Sequence, residues 1–128
     1  TTTGEGPLNV RRMPEIVHAL GGIVENAVGF ANSRVDVEAR WDGDHVDVTV
    51  LDDGPGFAPA VLNRLGEPYL TERDAEGAAG GLGLGFFIAK TLLERSGAKL
   101  DVKNRRTPNQ GAIVSARWPR AAIEAPAL

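Results

Sequence analysis

The chain has 128 residues, 42% of them hydrophobic, which suits one domain around a single buried core. Its 14 basic and 17 acidic residues leave a formal charge of -3, which argues against nucleic acid as a partner because that partner needs a basic face. The absence of cysteine excludes disulfides and thiolate metal sites, and no apolar run approaches the roughly 20 residues of a membrane span.

The chain opens on TTTGEGPLNV, with no initiator Met and no charged-then-apolar signal. The expectation is one domain over 1–128, cut from a longer protein whose membrane or sensory part lies elsewhere. Pro14 suits a first helical turn, and Ile16, Leu20, Ile23, Ala27 and Phe30 recur at three-and-four spacing, predicting a helix over 13–32. RVDVEARW then alternates Val35, Val37, Ala39 and Trp41 inward, DGD at 42–44 turns the chain, and HVDVTVL alternates Val46, Val48 and Val50. That is a hairpin with one buried face. A short helix is predicted near 59–65, and the aperiodic stretch from Gly66 to Gly83, rich in Gly, Ala and charge, reads as a mobile loop. A longer helix over 84–96, closed by Gly97, precedes two strands, AKLDVKN and GAIVSARW, split by the turn-rich RRTPNQG. The tail after Trp118 is expected to fray. The sum is an α/β two-layer sandwich, with about three helices on one face of a mixed sheet of roughly four or five strands.

GLGLGFFIAK (81–90) places glycines on alternate positions ahead of a helix start near Leu84. The dinucleotide fingerprint needs glycines at i, i+2 and i+5, which occur nowhere in the chain, so NAD is disfavoured. A P-loop needs Gly-Lys before Ser or Thr, and none of Lys90, Lys99 and Lys103 follows a glycine. The loop still offers unpaired backbone N–H groups and the positive end of a helix dipole, which favour a phosphate chain. A flexible linker is the alternative.

On the first helix, His18, Gly22, Glu25, Asn26 and Gly29 share the face opposite the apolar stripe. Two helical glycines cost roughly 1 kcal/mol each relative to alanine, so a ligand lies on this face or another element packs closely against it. Magnesium suits such a face, since it keeps most of its waters, takes phosphate oxygens and needs only one or two protein oxygens. Asn26 offers one, with Glu25 beside it. DDGPGF (52–57) stands where a buried strand ends, so Asp52 can accept a hydrogen bond from an amino group while the glycines admit a flat ring. Ordinary turn chemistry is the competing explanation.

Taken in order, ENAVGFA (25–31), DDGPGF (52–57), EPYLTERD (67–74) and GLGLGF (81–86) resemble the N, G1, F and G2 boxes of histidine-kinase ATP-binding domains, over nearly the whole chain. GGLGLGFFIAKTLLERSGA further resembles the RegB/PrrB-type redox-responsive sensor kinases. The resemblance implies the Bergerat (GHKL) sandwich shared by gyrase-like, Hsp90-like, histidine-kinase and MutL-like ATPases, with ATP under a lid between the F and G2 boxes. It implies that Asn26 binds Mg²⁺, that Asp52 reads the adenine amino group, and that Gly54 and Gly56 border adenine. It assigns the triphosphate to Gly81, Leu82, Gly83, Leu84 and Gly85, and puts Arg73 where a cation reaches the γ-phosphate.

Two departures stand out. Many histidine kinases carry Lys or Arg three residues after the N-box Asn, where this chain has Gly29; gyrase-like ATPases carry a catalytic Glu four residues before it, where this chain has Gly22. Transfer is therefore expected over hydrolysis, with Glu25 a candidate for polarising a nucleophile. Neither His18 nor His45 has the context of a phosphoacceptor, and both are expected to be structural. The resemblance implies ATP-dependent transfer to a histidine on a dimerisation domain outside this chain, then to a response regulator. It also implies a monomeric cytoplasmic domain of an inner-membrane sensor kinase. An anti-sigma-type serine kinase, an ATP hydrolase and a non-catalytic nucleotide-binding module are the alternatives.

Overall fold

The computed structural model describes residues 2–4, 6–58, 84–106 and 109–125. The predicted short helix near 59–65, the loop up to Gly83, and with them Arg73, Gly81, Leu82 and Gly83, lie outside the described residues.

In chain order the elements are β1 (Thr2–Gly4), α1 (Pro14–Phe30), β2 (Val35–Trp41), β3 (His45–Asp52), α2 (Leu84–Arg95), β4 (Lys99–Asn104), β5 (Ala112–Pro119) and α3 (Arg120–Ile123). Among the described residues the strands form a five-stranded sheet in the order β1-β2-β3-β5-β4. β1 runs parallel to β2 and the other pairs are antiparallel, so the sheet is mixed, as expected. Helix α1 begins with Pro14 in its first turn, where the missing N–H has no partner to lose. Gly97, at φ 102, ends α2, a backbone angle that side chains resist.

Strand register explains the two faces. Val37 pairs with Val50, Val50 with Val114, and Val102 with Val114, so one face of four strands is apolar. Against it α1 lays Ile16, Ala19, Ile23 and Ala27, and α2 lays Ala89 and Leu93, all buried with Val46, Val50, Ala116 and Trp118. Trp118 stays polar-satisfied at the core because its Nε1 donates to Ser96 Oγ at 2.7 Å. The opposite face carries the alternate positions, with Thr49 Oγ1 and Ser115 Oγ 3.2 Å apart and an Arg117–Asp47 ion pair at 3.4 Å.

Three expectations change. Val37, expected inward, is 42% exposed, because the helices cover the sheet centre more fully than β2. β1 had no alternation to reveal it, being three exposed residues that pair beside Ala39, Arg40 and Trp41. The segment after Trp118 does not fray over 119–125. Ile123 is buried, and Arg120 donates to Glu124 Oε2 (2.6 Å), Asp42 O (2.8 Å) and Pro7 O (2.9 Å), tying the C-terminal segment to the hairpin turn and to the N-terminal strand-like run. Ala125 N donates to Asn9 O at 2.6 Å and Arg11 N to Ile123 O at 2.8 Å, which closes the same tie from the other side.

Candidate functional site

The period of two that buries Val46, Val48 and Val50 carries one residue further and turns Asp52 to the same apolar face. Asp52 is the buried charged residue among those described, at 3% exposure. A carboxylate so placed needs hydrogen bonds to stay there. Its Oδ1 accepts Gly54 N at 2.9 Å and Ala112 N at 3.2 Å. The remaining oxygen, Oδ2, has no hydrogen-bond partner among the described residues, and Asp52 lines a pocket.

Two glycines make this arrangement sterically possible. A Cβ on Gly54 would stand 2.2 Å from Phe30 O, and one on Gly111, whose φ is 121°, would stand 1.9 Å from Asp52 O. Any larger residue at either place would push the Asp52 turn off the sheet. Gly56 also has a positive φ, 75°, beside Asn104. There the Asn104 amide clamps Phe57 at both backbone groups: Oδ1 accepts Phe57 N and Nδ2 donates to Phe57 O, each at 2.8 Å. Phe57 is thereby held in a small apolar cluster with Phe86 and Ala112, and its ring meets Phe30 edge-on, 5.6 Å between centroids.

These groups surround a narrow pocket lined by Ile23, Asn26, Ala27, Phe30, Asp52 and Phe57, with Val50, Phe86 and Val114. Its free space is about 10 Å³, room for one water, so a ring entering it must part the phenylalanines. Asn26 is shared with a second, open cleft of about 360 Å³, lined by Val17, His18, Gly21, Gly22, Glu25, Asn26, Gly85 and Ile88. Half-buried Asn26 thus stands where an apolar slot with one carboxylate meets a wide open cleft of mixed lining at the first turn of α2.

Close packing by the described residues does not explain the helical glycines. A Cβ at Gly22 or Gly29 would meet no described atom within 4 Å; Gly22 instead floors the cleft, and Gly29 lines neither space. A Cβ at Gly85 likewise would meet no described atom within 4 Å. His18, expected to be structural, is exposed and lines the cleft. Leu84 opens α2, and its side chain lies outside the described residues.

The donor set fits a hard cation. Asn26 and Glu25 offer oxygens to the cleft, and among the described residues no three His, Cys, Asp or Glu side chains gather as a full protein cage would require.

Neighbouring Asp53 performs a different task. Its Oδ2 accepts Ser33 Oγ at 2.5 Å, while Oδ1 accepts the N–H groups of Asn32 (2.8 Å), Ser33 (3.0 Å) and Arg34 (3.1 Å). This staples the turn after α1 to the Asp52 loop, so Phe30 and Asp52 keep their places on the pocket. The Ser33 hydroxyl, then the backbone N–H groups of Ser33 and Arg34, hold the Asp53 carboxyl well below the usual carboxylate range. The folded form therefore binds this proton more weakly than the unfolded one. The stabilisation is complete above the unfolded value of about 3.9 and is lost as pH falls below it towards the folded value. Asp53→Asn should accordingly destabilise the chain at pH 7 and matter progressively less in urea unfolding from about pH 4 towards pH 2. A constant difference across that range would detach the staple from the carboxylate charge.

The family model described as histidine kinase-, DNA gyrase B-, and HSP90-like ATPase matches residues 13–122, a span that holds both the pocket and the cleft. The chain belongs to that ATPase family. Sensor histidine kinase RegB of Cereibacter sphaeroides is 42% identical over 125 residues, covering 86% of this chain and 27% of RegB. The chain thus spans 27% of that relative's length. Mycobacterial sensor histidine kinase MprB shares the fold with TM-score 0.71 at 20% identity, over 98% of this chain and 81% of MprB. Full-length ShkA, solved in complex with AMPPNP, does so with TM-score 0.68 at 24% identity, over 99% of this chain and 26% of ShkA. The α/β sandwich is that of the histidine-kinase catalytic ATPases.

Of the residues singled out in the sequence, Asn26 and Asp52 line one pocket, and Glu25 and Gly85 line the adjoining cleft. Asn104, Gly111 and the Asp53–Ser33 staple were missed there, each of which acts across at least 20 residues of chain. Gln110-Gly111 opening a strand was the available signal for the second. Among the described residues no helix is long and apolar enough to cross a membrane.

Proposed function

We propose that this domain binds Mg-ATP and donates the γ-phosphoryl group to a histidine on a dimerisation domain elsewhere in a longer sensor kinase, which then passes it to a response regulator. The observation that carries this reading is Asn26 standing at the junction of an apolar slot ending on Asp52 and an open cleft that holds His18 and Glu25 and ends on α2. A nucleotide has the same division, a flat base with an amino group at one end and phosphates at the other.

In this reading the adenine ring parts Phe57 and Phe86 and gives its amino group to Asp52 Oδ2, while Gly54 and Gly56 border the ring. The phosphates run past Asn26 into the cleft, where the N-terminal turn of α2 and the side-chain-free Gly85 face them. Asn26, with Glu25 beside it, would hold the magnesium ion, which would supply charge neutralisation to the phosphate oxygens. Arg73, Gly81, Leu82, Gly83 and Leu84 are assigned to the same phosphate end by sequence position.

The protein's own contribution is placement and electrostatics. A nitrogen of the acceptor imidazole attacks the γ-phosphorus, the bond to the bridging oxygen breaks, and ADP leaves. Gly22 stands where gyrase-like ATPases carry the carboxylate that activates water, which supports transfer over hydrolysis, and Glu25 remains the carboxylate among the described cleft residues that can polarise a nucleophile. The parent chain is proposed as an inner-membrane sensor kinase with this domain in the cytoplasm, monomeric in isolation.

The test is to supply a histidine-bearing dimerisation domain and labelled ATP. Acid-labile, base-stable phosphate on that domain is expected. Phosphoserine on the partner, or free phosphate alone, would replace the histidine-kinase reading with a serine kinase or a hydrolase.

A further inference from the structure

His18 lies eight residues before Asn26 on α1, about 12 Å back along the axis at 1.5 Å per residue. It shares the cleft with Glu25, Asn26 and Gly85, and between it and Asn26 the cleft floor is bare backbone at Gly21 and Gly22. The slot holding Asp52 is at the Asn26 end, so a chain of phosphates leaving that slot is directed over the two glycines towards His18.

Charge points the same way. Of the described residues lining the cleft, Glu25 is the carboxylate and His18 the side chain able to carry positive charge. Metal-bound triphosphate keeps net negative charge, and a ring N–H of His18 can donate to it from the cleft wall. Gly29, on the other side of Asn26, is exposed, lines neither space and has no group to offer. His18 makes no hydrogen bond to any described residue, so its ring is available to a ligand.

We propose that His18 contacts the terminal phosphate of the bound nucleotide, donating a ring N–H to a γ-phosphate oxygen. The role rests on the nucleotide reading above and adds to it a side chain that senses the γ-phosphate. ATP and ADP would be distinguished there, because the β-phosphate of ADP falls short of His18.

Calorimetric titration of the full chain with Mg²⁺ and either a non-hydrolysable ATP analogue or ADP tests it, for the natural chain, His18→Ala and His18→Arg. His18 is exposed, so both variants are expected to melt with the natural chain. His18→Ala should weaken the ATP analogue about tenfold and leave ADP within about twofold, and His18→Arg should recover the loss. No loss in His18→Ala, a loss that ADP shares equally, or one that arginine does not recover would overturn the role of His18 while leaving the nucleotide reading intact. A natural chain that binds neither nucleotide would overturn both.

Discussion

Asp52→Asn should lower ATP affinity on the order of 100-fold, about 3 kcal/mol, and scarcely change binding of a purine triphosphate that lacks the 6-amino group. The substitution is isosteric, and Asn retains an acceptor for Gly54 N and Ala112 N, so the turn they define is kept. What changes is the second atom. Oδ2, the acceptor that has no described partner, becomes an NH₂ donor aimed at the donor of adenine. A buried site that loses a charged hydrogen bond and gains two opposed donors suffers the penalty of leaving both unsatisfied. Titration of the two ligands against both proteins separates this from general damage. Equal losses for the two triphosphates would refute the adenine assignment and leave Asp52 as a residue of the turn alone.

Asn26→Ala should reduce Mg²⁺-dependent phosphoryl transfer to a supplied histidine domain by two orders of magnitude or more, about 3 kcal/mol in the barrier. Asn26 lines both the slot and the cleft, and its amide is the neutral oxygen donor of the described cleft side chains. Stability should hold. Alanine has the higher helix propensity, and Asn26 bonds to no described residue, so the unfolding midpoint is expected to move little. The contrast between lost transfer and a preserved melt is what identifies a ligand-holding residue. Unchanged transfer would remove Asn26 from the metal site.

The parts of this molecule that were legible in its sequence are those governed by short-range periodicity. The three-and-four spacing of Ile16, Ile23 and Ala27 marks the buried stripe of α1, and the alternation through Val46, Val48 and Val50 carries Asp52 onto the apolar face. Both rules hold within one element; that Asn26 borders the stripe closely enough to share a pocket with Asp52 is visible in the structure alone. The walls of that pocket follow no such rule. Gly111 fits under Asp52 from across the sheet, and Asn104 clamps Phe57 from β4, contacts fixed by strand order and register. The C-terminal segment was misjudged for a related reason. Its hold comes from one arginine, Arg120, reaching Asp42 and Pro7, which are 78 and 113 positions away. The helix face of His18 is legible in the sequence, whereas its place on the cleft beside Gly21 and Gly22 is not.

Between the two halves of the site lies a division that affinity alone would not expose. Phe30, Phe57 and Phe86 nearly close the slot, so the ring end must open while the cleft end is already wide. Burial of apolar ring surface would then accompany binding at one end only, and the phosphate end would carry the dependence on magnesium.

The most direct test of the central claim is to follow backbone amide signals of the labelled chain as Mg-ATP is added. The two-ended site predicts saturable shifts at Asn26, Gly54, Gly85 and Gly111, with adenosine alone moving Gly54 and Gly111 but not Gly85. Shifts confined to the open sheet face around Thr49 and Ser115, or none at all, would contradict it.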